Sequence, residues 1–222
     1  MTPAGAPFAG AGAGAKLAPM AHRLSRRATL AGGLAMAVVA GKASAQAEQV
    51  KVVLKTPKGA ITLQLEQAKA PITVHNFLRY VDMKLLDGSD FYRVSRVPNA
   101  PDHGLVEGGL RGNPRKVLKP IAHESTLKTG LTHKDGTLSM ARRAPGSATC
   151  DFFVVIGEQP GFDADPAAEG DKNGFAAFGQ VIEGMDVVRA IFAAPLSPTA
   201  GVGAMRGEML KTPVKITTAR RA

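Results

Sequence analysis

Tryptophan is absent from this 222-residue chain, and cysteine occurs once, at Cys150. A single cysteine permits no internal disulfide, even in an oxidising compartment. Cys150 is either a nucleophile or a small loop residue; no histidine or other base lies near it in sequence, and the loop reading is preferred. Phosphate-binding and dinucleotide-binding glycine loops, the GxSxG nucleophile turn and the H-E-x-x-H zinc pair are all missing. The loop acids Glu158, Asp163, Asp165, Glu169 and Asp171 do not have the spacing of a calcium-binding EF-hand. His103, His123 and His133 match no metal-ligand pattern and read as scattered loop histidines. No apolar run reaches the ~20 residues of a membrane span.

Acidic residues are missing from positions 1–45, which hold Lys16, Arg23, Arg26, Arg27 and Lys42. The formal charge of +10 is therefore partly a property of this leader, and the remainder is only mildly basic. No basic cluster is interleaved with aromatics, which argues against nucleic-acid binding. Residues 1–19 are rich in Ala, Gly and Pro and cannot form a core, so translation starts at Met1 with a long leader or at Met20. Arg26-Arg27, the apolar run Ala28–Gly41 and Ala43-Ser44-Ala45 together predict a signal peptide cut after Ala45. Ser25–Leu30 resembles a twin-arginine export signal, with an ordinary secretion signal as the alternative. The expectation is a leader over 1–45, a domain over 46–222, a periplasmic location and no stable membrane association after cleavage.

What is present downstream is a series of short strand-like runs. Val50–Thr56 and Ala60–Glu66 flank a Pro57-Lys58-Gly59 turn. Pro71 opens a helix with Val74, Phe77, Leu78 and Val81 at helical spacing, beside His75 and Asn76 read as exposed or capping. Phe91–Val94, Leu105–Gly109, Thr137–Ala141, Phe152–Ile156, Phe175–Val181 and Leu210–Thr218 read as strands, and Gly184–Ala193 as a second helix. Ser95–Gly104 reads as a loop, and 110–135 as irregular. Strands and helices do not alternate, which excludes a doubly wound parallel sheet. The pattern predicts a mainly β fold, a closed eight-stranded antiparallel barrel capped by two α-helices, with the last strand returning to the first.

Residues 136–157, GTLSMARRAPGSATCDFFVVIG, are the most informative. Phe152, Val154 and Ile156 alternate with Phe153 and Val155, so both faces of that strand are apolar. Such a strand is buried on both sides, or has one face in the core and the other in an apolar groove.

The chain resembles the cyclophilin-type peptidyl-prolyl isomerases over Val50–Thr218. Four stretches carry the likeness in order: FYRV (91–94), LVEGG (105–109), LSMA…DFF (138–153) and GFAAFGQVIEGMDVV (174–188). The resemblance implies an outer groove in which Arg93 is the catalytic arginine and Phe153 the floor of a proline pocket. It implies pocket or groove roles for Leu105, Glu107, Phe162 and Phe175, a backbone-aligning role for Ala141 and Arg142, and a substrate-side position for Asp151. Glu107 and Asp151 stand where the family usually has Gln, Arg142 where it has Asn, and Gly161 where it has Trp or Phe. Carboxylates keep the acceptors of an amide but lose its donors, and an ionised Glu107 is expected to compete for the Arg93 guanidinium. The implied activity is X–Pro isomerisation during folding of exported proteins, by a monomer acting on proline-containing polypeptides without a cofactor. The alternative is a peptide-binding chaperone of the same fold with little or no isomerase activity.

Overall fold

Nine strands curl into one antiparallel sheet in the computed structural model, which describes residues 50–222. The leader expected over 1–45 and its cleavage site lie outside the described residues. In chain order the elements are β1 (Val50–Thr56), β2 (Gly59–Leu65), α1 (Pro71–Asp82), β3 (Asp90–Val97), β4 (Ala100–Gly109) and α2 (Thr126–Thr129). There follow β5 (Thr137–Met140), β6 (Phe152–Ile156), β7 (Ala176–Glu183), α3 (Met185–Phe192), β8 (Met209–Lys215) and β9 (Thr218–Arg221).

The strand order is β8-β3-β4-β6-β5-β7-β2-β1-β9. The two end strands are successive pieces of one C-terminal run. Between them, Ile216 N donates to Ser89 O at 2.8 Å and Thr217 N to Lys55 O at 2.8 Å. The run therefore leaves β3 and passes directly to β1. The expected eight strands become nine because the last one breaks where it changes partner, and the sheet ends are joined by the chain rather than by a ladder between β8 and β9.

Alternation along the strands divides the sheet into two faces. Val94, Val106, Val154 and Leu138 face each other across β3, β4, β6 and β5 and belong to the main core with Phe77, Phe91, Phe152 and Phe178. The other face carries Leu105, Phe153 and Val155, a separate buried cluster. One β-bulge sets this division. Phe91 pairs with Gly108 but Arg93 pairs with Glu107, so Tyr92 is an extra residue on β3. Phe91 and Val94 can then both enter the core while Arg93 and Ser95 stand outside.

Helix α1 begins at Pro71, whose missing N–H would be unpaired at that position anyway. Its N-terminus has no local side-chain cap. Glu124 supplies one from the distant 110–135 segment, accepting Ile72 N at 3.1 Å and Thr73 N at 2.7 Å. A carboxylate there also suits the positive end of the helix dipole. His75 is exposed as expected, but Asn76 is not: it is buried and its amide donates to Thr149 O. Two further expectations change. The 110–135 segment contains the helical turn α2, capped by Ser125 and ended by Gly130. The Ser95–Gly104 loop is the tip of a β3–β4 hairpin, with Val97 paired to Ala100 around Pro98-Asn99 and Asn99 at positive φ.

Candidate active site

Register places the outer-face residues in rows. Arg93 lies opposite Glu107, Glu107 opposite Phe153, and Phe153 opposite Ser139. Directly paired residues share a face, so this row crosses four strands, and Arg93 sits two strands from Phe153, roughly 10 Å at ordinary strand spacing. Ser95, Leu105 and Val155 form the adjacent row.

Three phenylalanines pack together at one end of this outer face. Phe153 is 5.5 Å from Phe162 and 5.3 Å from Phe175, and Phe162 is 5.5 Å from Phe175, centroid to centroid. Every pair is edge-to-face, the arrangement that aligns ring edges with ring faces. Phe175 N donates to Phe162 O at 2.8 Å, which brings the two ends of the 163–174 loop together. Gly174 makes this approach possible: it has φ 57°, and a Cβ there would lie 2.5 Å from Phe162 O.

At the other end, Arg93 is held by carboxylates. Its Nη1 donates to Glu107 Oε2 at 2.5 Å, and its Nε and Nη2 lie 2.8 and 2.7 Å from Glu208 Oε2. Glu107 Oε1 also accepts the Tyr92 hydroxyl at 2.8 Å, and Glu208 Oε1 accepts the Ser95 hydroxyl at 2.7 Å. Burial would depress the Arg93 pKa, but the Glu107 and Glu208 bonds outweigh it and hold the guanidinium above its usual range. Burial pushes the Tyr92 phenol far up, and the Glu107 and Asp151 charges push it further. Asp151 is raised chiefly by burial, partly offset by the Arg111 and Leu110 amides.

The cyclophilin-type peptidyl-prolyl cis-trans isomerase/CLD family profile matches residues 50–221. The chain is 37% identical over 166 residues to a peptidyl-prolyl cis-trans isomerase of Acinetobacter baylyi, covering 74% of this chain and 81% of that one. It is 34% identical over 145 residues to peptidyl-prolyl cis-trans isomerase B of Escherichia coli, covering 63% of this chain and 82% of the relative. This chain belongs to the cyclophilin-type isomerase family. Its fold agrees: the crystal structure of a Cryptosporidium parvum cyclophilin-type isomerase superposes with a TM-score of 0.62 at 16% identity, covering 78% of this chain and 98% of that one.

Within this cyclophilin groove, Leu105, Phe153, Phe162, Phe175 and Ala141 come together as one apolar cluster. Arg93 and Glu107 form the ion pair the sequence led us to expect. Asp151 stands at the edge, its Oδ1 accepting Arg111 N at 2.9 Å. Arg142 differs from the rest. Its side chain is 2% exposed, with Nε donating to Gly174 O, Nη1 to Arg143 O and Nη2 to Asp171 Oδ2 and Gly174 O. Its guanidinium lies 4.9 Å over the Phe175 ring. The side chain is committed to the 163–174 loop and is not presented to the groove. Gly161 sits in a single 3-10 turn, Pro160–Phe162, where a Cβ would meet nothing within 4 Å.

Two residues that contact these side chains carry no local signal in the sequence. His133 is buried beneath the aromatic triangle, 5.8 Å from Phe162 and 6.2 Å from Phe153. Its Nδ1 lies 2.6 Å from Asp163 Oδ1 and its Nε2 2.8 Å from Ser139 Oγ. Burial lowers its pKa, and the Asp163 bond only partly restores it. The imidazole is neutral, with Nδ1–H donating to the carboxylate and Nε2 accepting the serine hydroxyl; this tautomer follows from the acceptor-only carboxylate. Ser139 is fully buried, so His133 pins Asp163, the neighbour of Phe162, to β5 rather than activating a nucleophile. Glu208 is the other. Nothing in RGEML marks it, and only the β3–β8 pairing carries it to Arg93.

Proposed function

We propose that this cyclophilin-type isomerase accelerates rotation about X–Pro bonds in polypeptides exported to the periplasm. In this reading Arg93 donates to the reacting imide, and Leu105, Phe153, Phe162 and Phe175 hold the proline ring. The observation that carries it is the common face of the sheet. A fixed, charged donor and a dry aromatic pocket lie on the same outer surface, in rows set by strand register.

The chemistry asks for little else. Amide resonance imposes a barrier of about 18–20 kcal/mol on X–Pro rotation, slow enough to limit folding. No bond is made or broken, so the protein has to bind the twisted imide better than either planar form. In the twisted state the proline nitrogen becomes a hydrogen-bond acceptor. An arginine suits it because it stays protonated at every physiological pH, and prior fixation by Glu107 and Glu208 avoids reorganisation at the moment of reaction. Edge-on rings immobilise the pyrrolidine while the preceding carbonyl swings. The Cryptosporidium parvum relative was also crystallised in the presence of the dipeptide Ala-Pro.

The periplasmic setting rests on the leader, with its paired arginines, apolar run and Ala-Ser-Ala. Cell fractionation tests it: the account expects processed protein in the periplasm, and full-length protein confined to the cytosol would refute it. The activity on exported clients is read from refolding of a secreted protein whose slow phase is proline-limited. The slow phase accelerates with added enzyme; suppression of aggregation with an unchanged slow phase would favour the chaperone reading instead.

A further inference from the structure

Arginine has five N–H donors in a planar fork. In Arg93 two of the five are hydrogen-bonded, one on Nη1 to Glu107 Oε2 and the Nε–H to Glu208 Oε2, and Nη2 lies 2.7 Å from that same Glu208 oxygen as an ion-pair contact. Glu208 therefore holds the Nε edge of the fork, and with Glu107 it leaves the remaining Nη N–H groups for a ligand.

Glu208 is itself fixed from several sides. Its carbonyl accepts Val94 N at 2.9 Å, and its amide donates to Met205 O at 3.1 Å, at the end of the 3-10 turn Gly203–Met205. The backbone of Glu208 is thus bonded to the residue between Arg93 and Ser95. Those two neighbours share the outer face, and both donate to its carboxylate, Arg93 to Oε2 and Ser95 to Oε1. The Glu208 side chain is 26% exposed, so the contact lies at the rim of the groove and not in the core.

We propose that Glu208, oriented by Ser95, is a positioning residue for isomerisation: it sets the angle at which Arg93 offers its remaining N–H groups to the imide. The role is geometric. A donor rotated away from the line to the proline nitrogen still binds the peptide in the aromatic pocket but stabilises the twisted imide less. The loss should therefore fall on kcat and leave KM nearly unchanged. The inference rests on the role of Arg93 proposed above.

The test is steady-state isomerisation of a proline peptide by the purified protein, carried through four variants. Glu208→Ala is expected to lower kcat about fivefold to tenfold with KM within about twofold, less than the roughly hundredfold that a ~1 Å misplacement of a catalytic group can cost because Glu107 still holds Arg93. Glu208→Gln keeps an acceptor at the same reach and is expected to restore most of the rate. Glu208→Asp keeps the charge but withdraws it by one methylene, and is expected to resemble Glu208→Ala; it also stands in should Glu208→Ala fail to fold. Ser95→Ala is expected to fall between. In an Arg93→Ala background, Glu208→Ala should have no further effect, because coupled residues are not additive. The proposal is overturned by wild-type kcat in Glu208→Ala or Glu208→Asp, by a Gln variant as slow as the Ala variant, or by an effect that persists without Arg93. An Arg93→Ala rate equal to wild type would instead refute the role given to Arg93 itself, which keeps the two failures apart.

Discussion

Glu107 Oε2 lies 2.5 Å from Arg93 Nη1, and the same carboxylate takes the Tyr92 hydroxyl on its other oxygen. A glutamate here binds the donor more tightly than the family's usual glutamine would, and partly neutralises it. Glu107→Gln keeps an acceptor for Arg93 and removes the negative charge. The expected outcome is a rise of a few-fold in kcat/KM, corresponding to ~0.5–1 kcal/mol of released donor strength. It is read from the same peptide assay, and a fall would mean that the charge of Glu107 is required.

Arg142 acts on the groove through Phe175. Its guanidinium bonds Gly174 O and Asp171 and covers the Phe175 face. Arg142→Lys keeps the charge but has neither the fork nor the flat face. Hydrogen exchange should quicken across residues 165–174, and KM should rise about threefold to tenfold, in line with a cation–π contact plus one charged hydrogen bond. Weaker binding with unchanged loop exchange would assign Arg142 a direct contact with the peptide.

His133 gives the fold a pH dependence with a definite sign. Its folded pKa lies below 6.5 because burial penalises the imidazolium. Below that value the unfolded chain binds a proton that the folded chain refuses. Stability therefore falls as pH drops through ~6.5 and levels off below the folded pKa, with a slope of at most ~1.4 kcal/mol per unit for one group. His133→Gln should be less stable at pH 7.5, and urea midpoints of wild type and variant should converge toward pH 5. Parallel curves would show that His133 does not carry the step.

The open 3-10 turn gives a gain-of-function test. Gly161 is where the family usually has Trp or Phe, and a Cβ there meets nothing within 4 Å. Gly161→Trp should fold normally and lower KM for a proline peptide by a few-fold, through added apolar cover at the pocket rim. An unchanged KM would remove Gly161 from the rim.

The strand Phe152–Ile156 shows what local pattern can carry. Its double alternation predicts two apolar faces, and the structure assigns Phe152, Val154 and Ile156 to the main core and Phe153 and Val155 to the separate outer-face cluster. The β3 strand shows the limit. Strict alternation puts Phe91 and Arg93 on one face; the bulge at Tyr92 separates them, and a bulge depends on the partner strand. Likewise His133 meets Asp163 across 30 positions and Arg93 meets Glu208 across 115. The first pair is made between two loops and the second through the β3–β8 pairing, and neither carries a local signature. The direction of the Arg142 side chain depends on Gly174 and Asp171, about thirty positions away, in a loop that closes only in three dimensions.

The central claim is that Arg93 stabilises the twisted imide from a face shared with the aromatic pocket. The most direct measurement is the cis–trans exchange rate of a proline peptide by NMR, with peptide affinity measured on the same samples, for wild type and Arg93→Ala. Wild type should show enzyme-driven exchange, Arg93→Ala should lose about a hundredfold or more, and affinity should stay within a few-fold of wild type because the Phe153, Phe162 and Phe175 pocket is intact. Equal exchange rates in the two proteins would contradict the claim.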